Sequence, residues 1–146
     1  MTKKITRSNP PWLYQGVEWH PPEEFSHEDV YGFVYLITNL TTQRKYVGKK
    51  FLWSQKTLPI TKTRKRRKKL KVESDWRTYR SSNKTVSDWF NDVDNDQLKL
   101  EILRFCSNTK SLTYYELQEQ FAHDVLGDDL ALNDNLLGKF FRKDLL

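Results

Sequence analysis

Two tyrosines, Tyr35 and Tyr46, stand eleven positions apart in runs that both read as strands, Phe33-Val34-Tyr35 and Tyr46-Val47-Gly48, with a short turn between them. A hairpin over these residues brings both phenols to one side of a small sheet. A phenol donates and accepts hydrogen bonds and can take part in proton transfer. Taken singly, each is most simply a strand tyrosine packed on a sheet face. The pair at this spacing, followed by Gly48, points instead to a site. Just downstream, residues 62–71 hold Lys62, Arg64, Lys65, Arg66, Arg67, Lys68, Lys69 and Lys71, eight basic residues in ten with no acid. That density of cations suits a polyanion, because each Lys or Arg that neutralises a phosphate releases a counterion. The plainer alternative is an exposed, solvated loop.

The elements that must hold these residues follow from local pattern. Residues 32–39 are rich in β-branched and aromatic types and predict a strand; residues 40–43 predict a turn and 44–51 a second strand. Residues 52–72 form a connection that contains the basic tract. Residues 73–83 predict a short helix ending in a serine-rich turn. Thr85 is a candidate cap for a helix over 86–91, with Val86, Trp89 and Phe90 inward. Residues 97–105 alternate and predict a third strand. The clearest helix covers 114–126: Thr113 and Glu116 fit a capping box, Leu117, Phe121, Ala122 and Val125 give an apolar stripe, and Gly127 stops it. The tail predicts a short helix around Leu137–Phe141. Residues 1–30 form an irregular arm, since Pro10-Pro11 and Pro21-Pro22 forbid a long helix or a central strand. Trp12, Tyr14 and Trp19 pin that arm to the domain by packing. Residues 31–146 form one domain, and no internal repeat is present.

Bulk composition narrows the classes. The 146 residues are 37% hydrophobic and 30% charged, enough for one domain with a modest core. The net charge is +6, and subtracting the eight cations of the tract leaves −2, so the basicity is local. No apolar run of about 18 residues predicts a membrane helix, and no apolar stretch follows the N-terminus to make a secretory signal. Cys106 is the one cysteine, which excludes an internal disulfide and a Cys-based zinc site and fits a reducing, cytoplasmic setting. His20, His27 and His123 lack metal-ligand spacing. No phosphate-loop or serine-elbow pattern occurs.

The order strand, turn, strand, basic insertion, helix, strand, helix resembles the GIY-YIG nuclease superfamily. More closely, it resembles the phage SegE-like free-standing, homing-type endonucleases. The resemblance is carried by residues 32–39, 45–50 and 74–82 and by Tyr115, Glu116, Gln120 and Asp124-Val125-Leu126. It implies an α+β fold, a small three-stranded antiparallel sheet flanked by helices, with the basic tract as an insertion. It implies a metal-dependent DNA endonuclease that hydrolyses phosphodiester bonds. Tyr35 and Tyr46 match the two motif tyrosines, one of which positions or deprotonates the attacking water while the other supports the metal-water network. Glu116 matches the helix glutamate that holds the single divalent ion, Mg2+ or Mn2+; its rival role is the capping box, and Glu119 is the alternative ligand. Asn133 matches an asparagine that orients the phosphate or the second tyrosine's network.

The chain departs from the family pattern in two places. Phe33 stands where glycine is usual, and Gly32 comes one position early. The helix arginine after the second motif has no clear counterpart. Lys49, Lys50 and Arg77 are candidates, and Lys50 and Arg77 are favoured, Lys50 because strand alternation puts it on the face of Tyr46. The partner implied is double-stranded DNA, with no membrane. A homodimer or sequential cleavage would let one metal site per chain cut two strands. A phage-encoded enzyme would act in the host cytoplasm. The reading from a different class is a non-catalytic nucleic-acid-binding protein on a degenerate nuclease scaffold.

Overall fold

The computed structural model describes residues 8–22, 26, 30–63, 66 and 68–145, with backbone alone at 56 and 68–70. In chain order these residues form β1 (Trp12–Tyr14), β2 (Val17–Glu18), β3 (Gly32–Asn39), β4 (Arg44–Phe51), β5 (Trp53–Leu58), β6 (Lys68–Glu73), α1 (Lys84–Asp92), β7 (Leu98–Cys106), α2 (Thr109–Ala122), β8 (Asn135–Leu136) and β9 (Phe140–Phe141). A 3-10 turn at Arg142–Leu145 closes the chain.

The main sheet has the order β2-β1-β7-β3-β4. Its centre is the expected antiparallel trio: β3 pairs with β4 on one side and with β7 on the other. The expected three-stranded sheet is nevertheless too small, because the N-terminal arm adds two strands. β1 runs parallel to β7 and turns back antiparallel into β2. Gln15 and Gly16 make that turn with φ of 53° and 83°, the double left-handed conformation of a tight hairpin. These strands are three and two residues long, too short to show a period, and a sheet edge tolerates the preceding prolines. Trp12 is buried against Phe33 and Tyr35, so the arm is pinned by packing.

Cross-strand partners share a face, so Phe33, Tyr35 and Ile37 face the same side as Lys50, Gly48 and Tyr46. That side carries an aromatic core with Trp12, Trp76 and the Val86, Trp89 and Phe90 of α1. Val34 and Val47 face the other side, where they pack against Leu112 of α2 and against Val125 and Leu126. The molecule is therefore a sheet between two helices. Phe33 at the usual glycine position points into the aromatic core and is fully buried. Gly32 is needed for packing on the other side: a Cβ there would lie 2.7 Å from the Lys50 carbonyl and 2.8 Å from Leu112 Cδ2.

Several element boundaries differ from expectation. Asn83, not Thr85, caps α1, its side chain accepting from the Val86 N–H. Glu73 ends β6, and residues 74–83 hold a turn at 76–78 and bends rather than a helix, with Ser81 at φ of 73°. α2 begins five residues early, capped by Asn108, which accepts from the Ser111 N–H at 2.8 Å while the Ser111 hydroxyl sits against the Asn108 N–H. Thr113 and Glu116 are thus mid-helix and form no capping box. α2 also ends early, at Ala122, leaving Phe121 63% exposed and Val125 buried beyond the helix. The expected helix around Leu137–Phe141 is a small β8–β9 hairpin instead. Leu137 and Gly138 both take left-handed φ, 54° and 65°, which turns the chain back.

Candidate active site

β4 is the outer strand of the sheet on its side, and its free edge is where the chain concentrates polar side chains. The segment after α2 covers part of that edge. The Lys45 N–H donates to the Leu130 carbonyl and the Leu132 N–H donates to the Lys45 carbonyl. Asn133 then takes over with its side chain, accepting from the Val47 N–H at 3.2 Å and donating to the Val47 carbonyl at 2.8 Å. Buried Asn133 thus imitates one more residue of a β-ladder. Gln120 of α2 adds a donor to the same carbonyl. Together they fix the strand on either side of Val47, and therefore Tyr46 and Gly48.

Beyond this patch the edge opens into a cleft of about 380 Å³. Tyr46, Lys49, Ser82, Asn83, Glu116, Gln120, Asn133 and Asp134 line it. Tyr46 comes from one face of the sheet and Glu116 from the helix on the other. They share a cleft because an outer strand has no neighbour to keep the two faces apart. Glu116 can enter it because Asn108 and Ser111 already satisfy the helix terminus. Burial pushes the Glu116 carboxyl above the usual carboxylate range, and Lys49 pulls it part of the way back. The Lys49 ammonium lies 3.9 Å from Glu116 and donates to the Thr113 hydroxyl at 3.1 Å. Burial likewise raises the Tyr46 phenol; a hydrogen bond with Ser82 opposes this, while Tyr79, Glu116 and Asp134 add to it. Tyr46 is therefore a neutral phenol at physiological pH.

Tyr35 lies behind this cleft and does not line it. It is 1% exposed, with its ring centroid 6.2 Å from that of Tyr46. Its hydroxyl meets Tyr79 Oη at 3.4 Å and Ser81 Oγ at 3.3 Å. Burial first, then the Tyr79 charge, holds its phenol well above the usual value. Gly48 makes room for this ring: a Cβ there would stand 2.5 Å from Tyr35 Oη and 2.6 Å from Cζ. The glycine of the second run is thus a packing requirement of the tyrosine in the first. A bulge in the β3–β7 register between Val34 and Tyr35 helps aim the ring.

The remaining candidates divide. Lys50 does share the face of Tyr46, but it pairs with Asp75 and lies 4.2 Å over the Tyr79 ring, outside the cleft lining. Arg77 is exposed, bonded to Glu73 at 3.1 Å and stacked 4.4 Å over Trp76; the structure does not bring it to the cleft. Glu119 lies 3.7 Å from His123 and is also outside. The cation in the cleft is Lys49, which strand alternation argued against. The contributions of Ser81, Ser82 and Tyr79 carried no signal beyond their place in the 74–82 run. Of the basic tract, Lys62, Arg66 and Lys71 are exposed. Lys68 and Lys69 lie on β6, and Arg64, Lys65 and Arg67 fall outside the described residues.

An α+β fold with a mixed five-stranded sheet, presenting a motif tyrosine and a helix glutamate at one edge, is compatible with a GIY-YIG nuclease. The family model described as "Putative endonuclease segE, GIY-YIG domain" matches residues 12–141. The chain belongs to that family. The match takes in β1 and β2 as well as the three central strands. No curated protein and no solved structure matches the chain. Membership points to an endonuclease, with DNA as the substrate the domain suggests. No helix among the described residues is long and apolar enough to cross a membrane.

Nucleases of this superfamily generally depend on a divalent metal. The cleft carries carboxylates of the kind a hard divalent ion would need. Such an ion takes one or two carboxylates and keeps several waters, and Glu116 and Asp134 are the carboxylates lining the cleft. No His or Cys lines it, and the described residues hold no cluster of three or more His, Cys, Asp or Glu, so an ion there would rest on these two carboxylates and water. The desolvated Glu116 carboxylate, only partly countered by Lys49, is the kind of charge a cation would stabilise.

Proposed function

We propose that this protein is a Mg2+-dependent endonuclease that hydrolyses phosphodiester bonds of double-stranded DNA in the cleft beside β4. The carrying observation is that Glu116, released from helix capping, faces the same cleft as Tyr46. Glu116, with Asp134 of the same cleft lining, would hold the ion, which would lower the pKa of a bound water and neutralise phosphate charge. Tyr46, tied to Ser82, orients the attacking water through its neutral hydroxyl. Lys49 offers a fixed positive charge to the phosphate. Asn133 and Gln120 hold the strand that carries both. Tyr35 acts from behind, as the packed support of Tyr46 and Gly48. Lys50 reaches this apparatus through Tyr79, and the basic tract contacts the DNA backbone.

The similarity to free-standing phage enzymes supports a phage-encoded, homing-type role in a host cytoplasm. A second reading, a non-catalytic DNA-binding protein, is favoured by one observation: the cleft contains no arginine, and Arg77 is tied to Glu73. Incubation of supercoiled plasmid with Mg2+ separates the two. The endonuclease reading expects nicked or linear product that a chelator suppresses. Salt-sensitive binding without any product would select the second reading.

A further inference from the structure

β5 and β6 form a two-stranded sheet of their own, separate from the main one. Six residue pairs join them, from Trp53↔Glu73 to Leu58↔Lys68. The base of the ribbon is fastened to the domain. Trp53 Nε1 donates to the Val30 carbonyl at 2.9 Å, and the Ser74 hydroxyl donates to the Phe51 carbonyl at 2.6 Å. The far end carries the basic tract, where Lys62 and Arg66 are exposed. Leu52 is the single residue between β5 and β4, the strand of Tyr46 and Lys49. A stem this polar, without a third strand, buries little of its own surface. Isolated two-stranded hairpins are marginal in water, so an external partner of opposite charge would complete it.

The two faces of the stem differ. Gln55 and Lys71 are directly opposed, and Thr57 lies two residues on from Gln55, so all three share a face. All three are exposed, and the Lys71 ammonium rests 4.9 Å over the Tyr31 ring, which it would leave to reach a base. The other face pairs Ser54 with Val72, Lys56 with Leu70 and Leu58 with Lys68, and with three aliphatic residues it is the more apolar of the two. A two-stranded ribbon fits the major groove of B-form DNA. Gln, Lys and Thr suit adenine, guanine and the mixed edges there. We propose that the β5–β6 ribbon lies in the major groove and reads base pairs through Gln55, Thr57 and Lys71, while the tract at its tip holds phosphates. This rests on the endonuclease reading for its substrate, and it gives that enzyme a specificity element within the catalytic domain. The geometry also sets a distance. Lys49 and Thr57 are eight residues apart, at most about 28 Å of extended chain. The base pairs read therefore lie within about eight steps of the cut, at ~3.4 Å per step.

The test is enrichment of bound sequences from a random-sequence DNA duplex pool, using the full chain with Glu116→Gln to prevent cleavage. The same background carrying Gln55→Ala with Thr57→Ala is run beside it. These changes leave the charge of the tract untouched, so the salt slope of binding stays the same while base discrimination falls about ten- to a hundredfold at the affected positions. A third protein, with Ser54→Ala and Val72→Thr on the opposite face, controls for damage to the ribbon and should retain the wild-type preference. Enrichment that flattens only in the Gln55/Thr57 variant, within about eight base pairs of the mapped cut, supports the proposal. An unchanged preference in that variant, equal loss in both ribbon variants, no enrichment at all, or equal preference for an RNA duplex overturns it. Plasmid cleavage by the unmutated chain is scored separately: its absence sinks the endonuclease reading, and the enrichment still judges the ribbon.

Discussion

Tyr46 and Tyr35 sit diagonally across one pair of strands, on one face, yet the first opens onto a polar cleft and the second is sealed in an aromatic chamber. The difference comes from sheet order. Tyr46 is on the outer strand, where Glu116 and Lys49 can approach around the edge from the opposite face. Tyr35 is on an inner strand, covered by Trp12, Tyr79 and Ser81. Identical side chains therefore meet different surroundings: one lines the polar cleft, the other packs against the strand that carries it. Gly48 joins them, since the space it leaves is occupied by the Tyr35 phenol.

The comparison can be broken in four ways. Tyr46→Phe should lower the cleavage rate by about 10²–10⁴ while leaving the melting temperature close to wild type. A larger rate loss in Tyr35→Phe would reverse the assignment. Gly48→Ala should cost about 1–3 kcal/mol in urea unfolding, because the new methyl meets a buried ring that has no room to move, and its cleavage should fall with it. Tyr35→Phe should cost about 0.5–1.5 kcal/mol of stability, from contacts with Tyr79 and Ser81, with only a few-fold change in rate.

The smallest effect concerns acid. A hydrogen bond from Lys45, helped by the Leu130 N–H, holds the Asp128 carboxyl below the usual carboxylate range. A depressed carboxylate contributes stability above its unfolded value and loses it as pH falls through the folded one. The segment leading to Asn133 should therefore loosen in acid, and Asp128→Asn should flatten part of the acid limb of melting temperature against pH. An acid limb identical to wild type would remove this pair from the account.

The central strands, Tyr35, Tyr46 and the inward residues of α1 were legible in the sequence because alternation, β-branched runs and helical spacing report local periodicity. Three things were not. β1 and β2 are too short to have a period; β1 exists by pairing with β7 and β2 by pairing with β1. The start of α2 was misplaced because Thr113 and Glu116 imitate a capping box, while the real cap, Asn108, is completed by Ser111. The cleft lysine was misplaced because alternation assigns faces but does not reveal which strand is outermost; at a sheet edge Lys49 reaches the cleft from the face that Tyr46 does not use. The doublet Ser81-Ser82 was visible, but its roles depend on the strained turn at Ser81, a tertiary outcome.

The most direct measurement is the joint assay of Mn2+ binding by calorimetry and Mg2+-dependent plasmid nicking for the wild type and Glu116→Gln. Ion binding and nicking by the wild type, both lost in a variant that melts normally, is the predicted result. Undiminished nicking by Glu116→Gln would contradict the claim that this carboxylate organises the site.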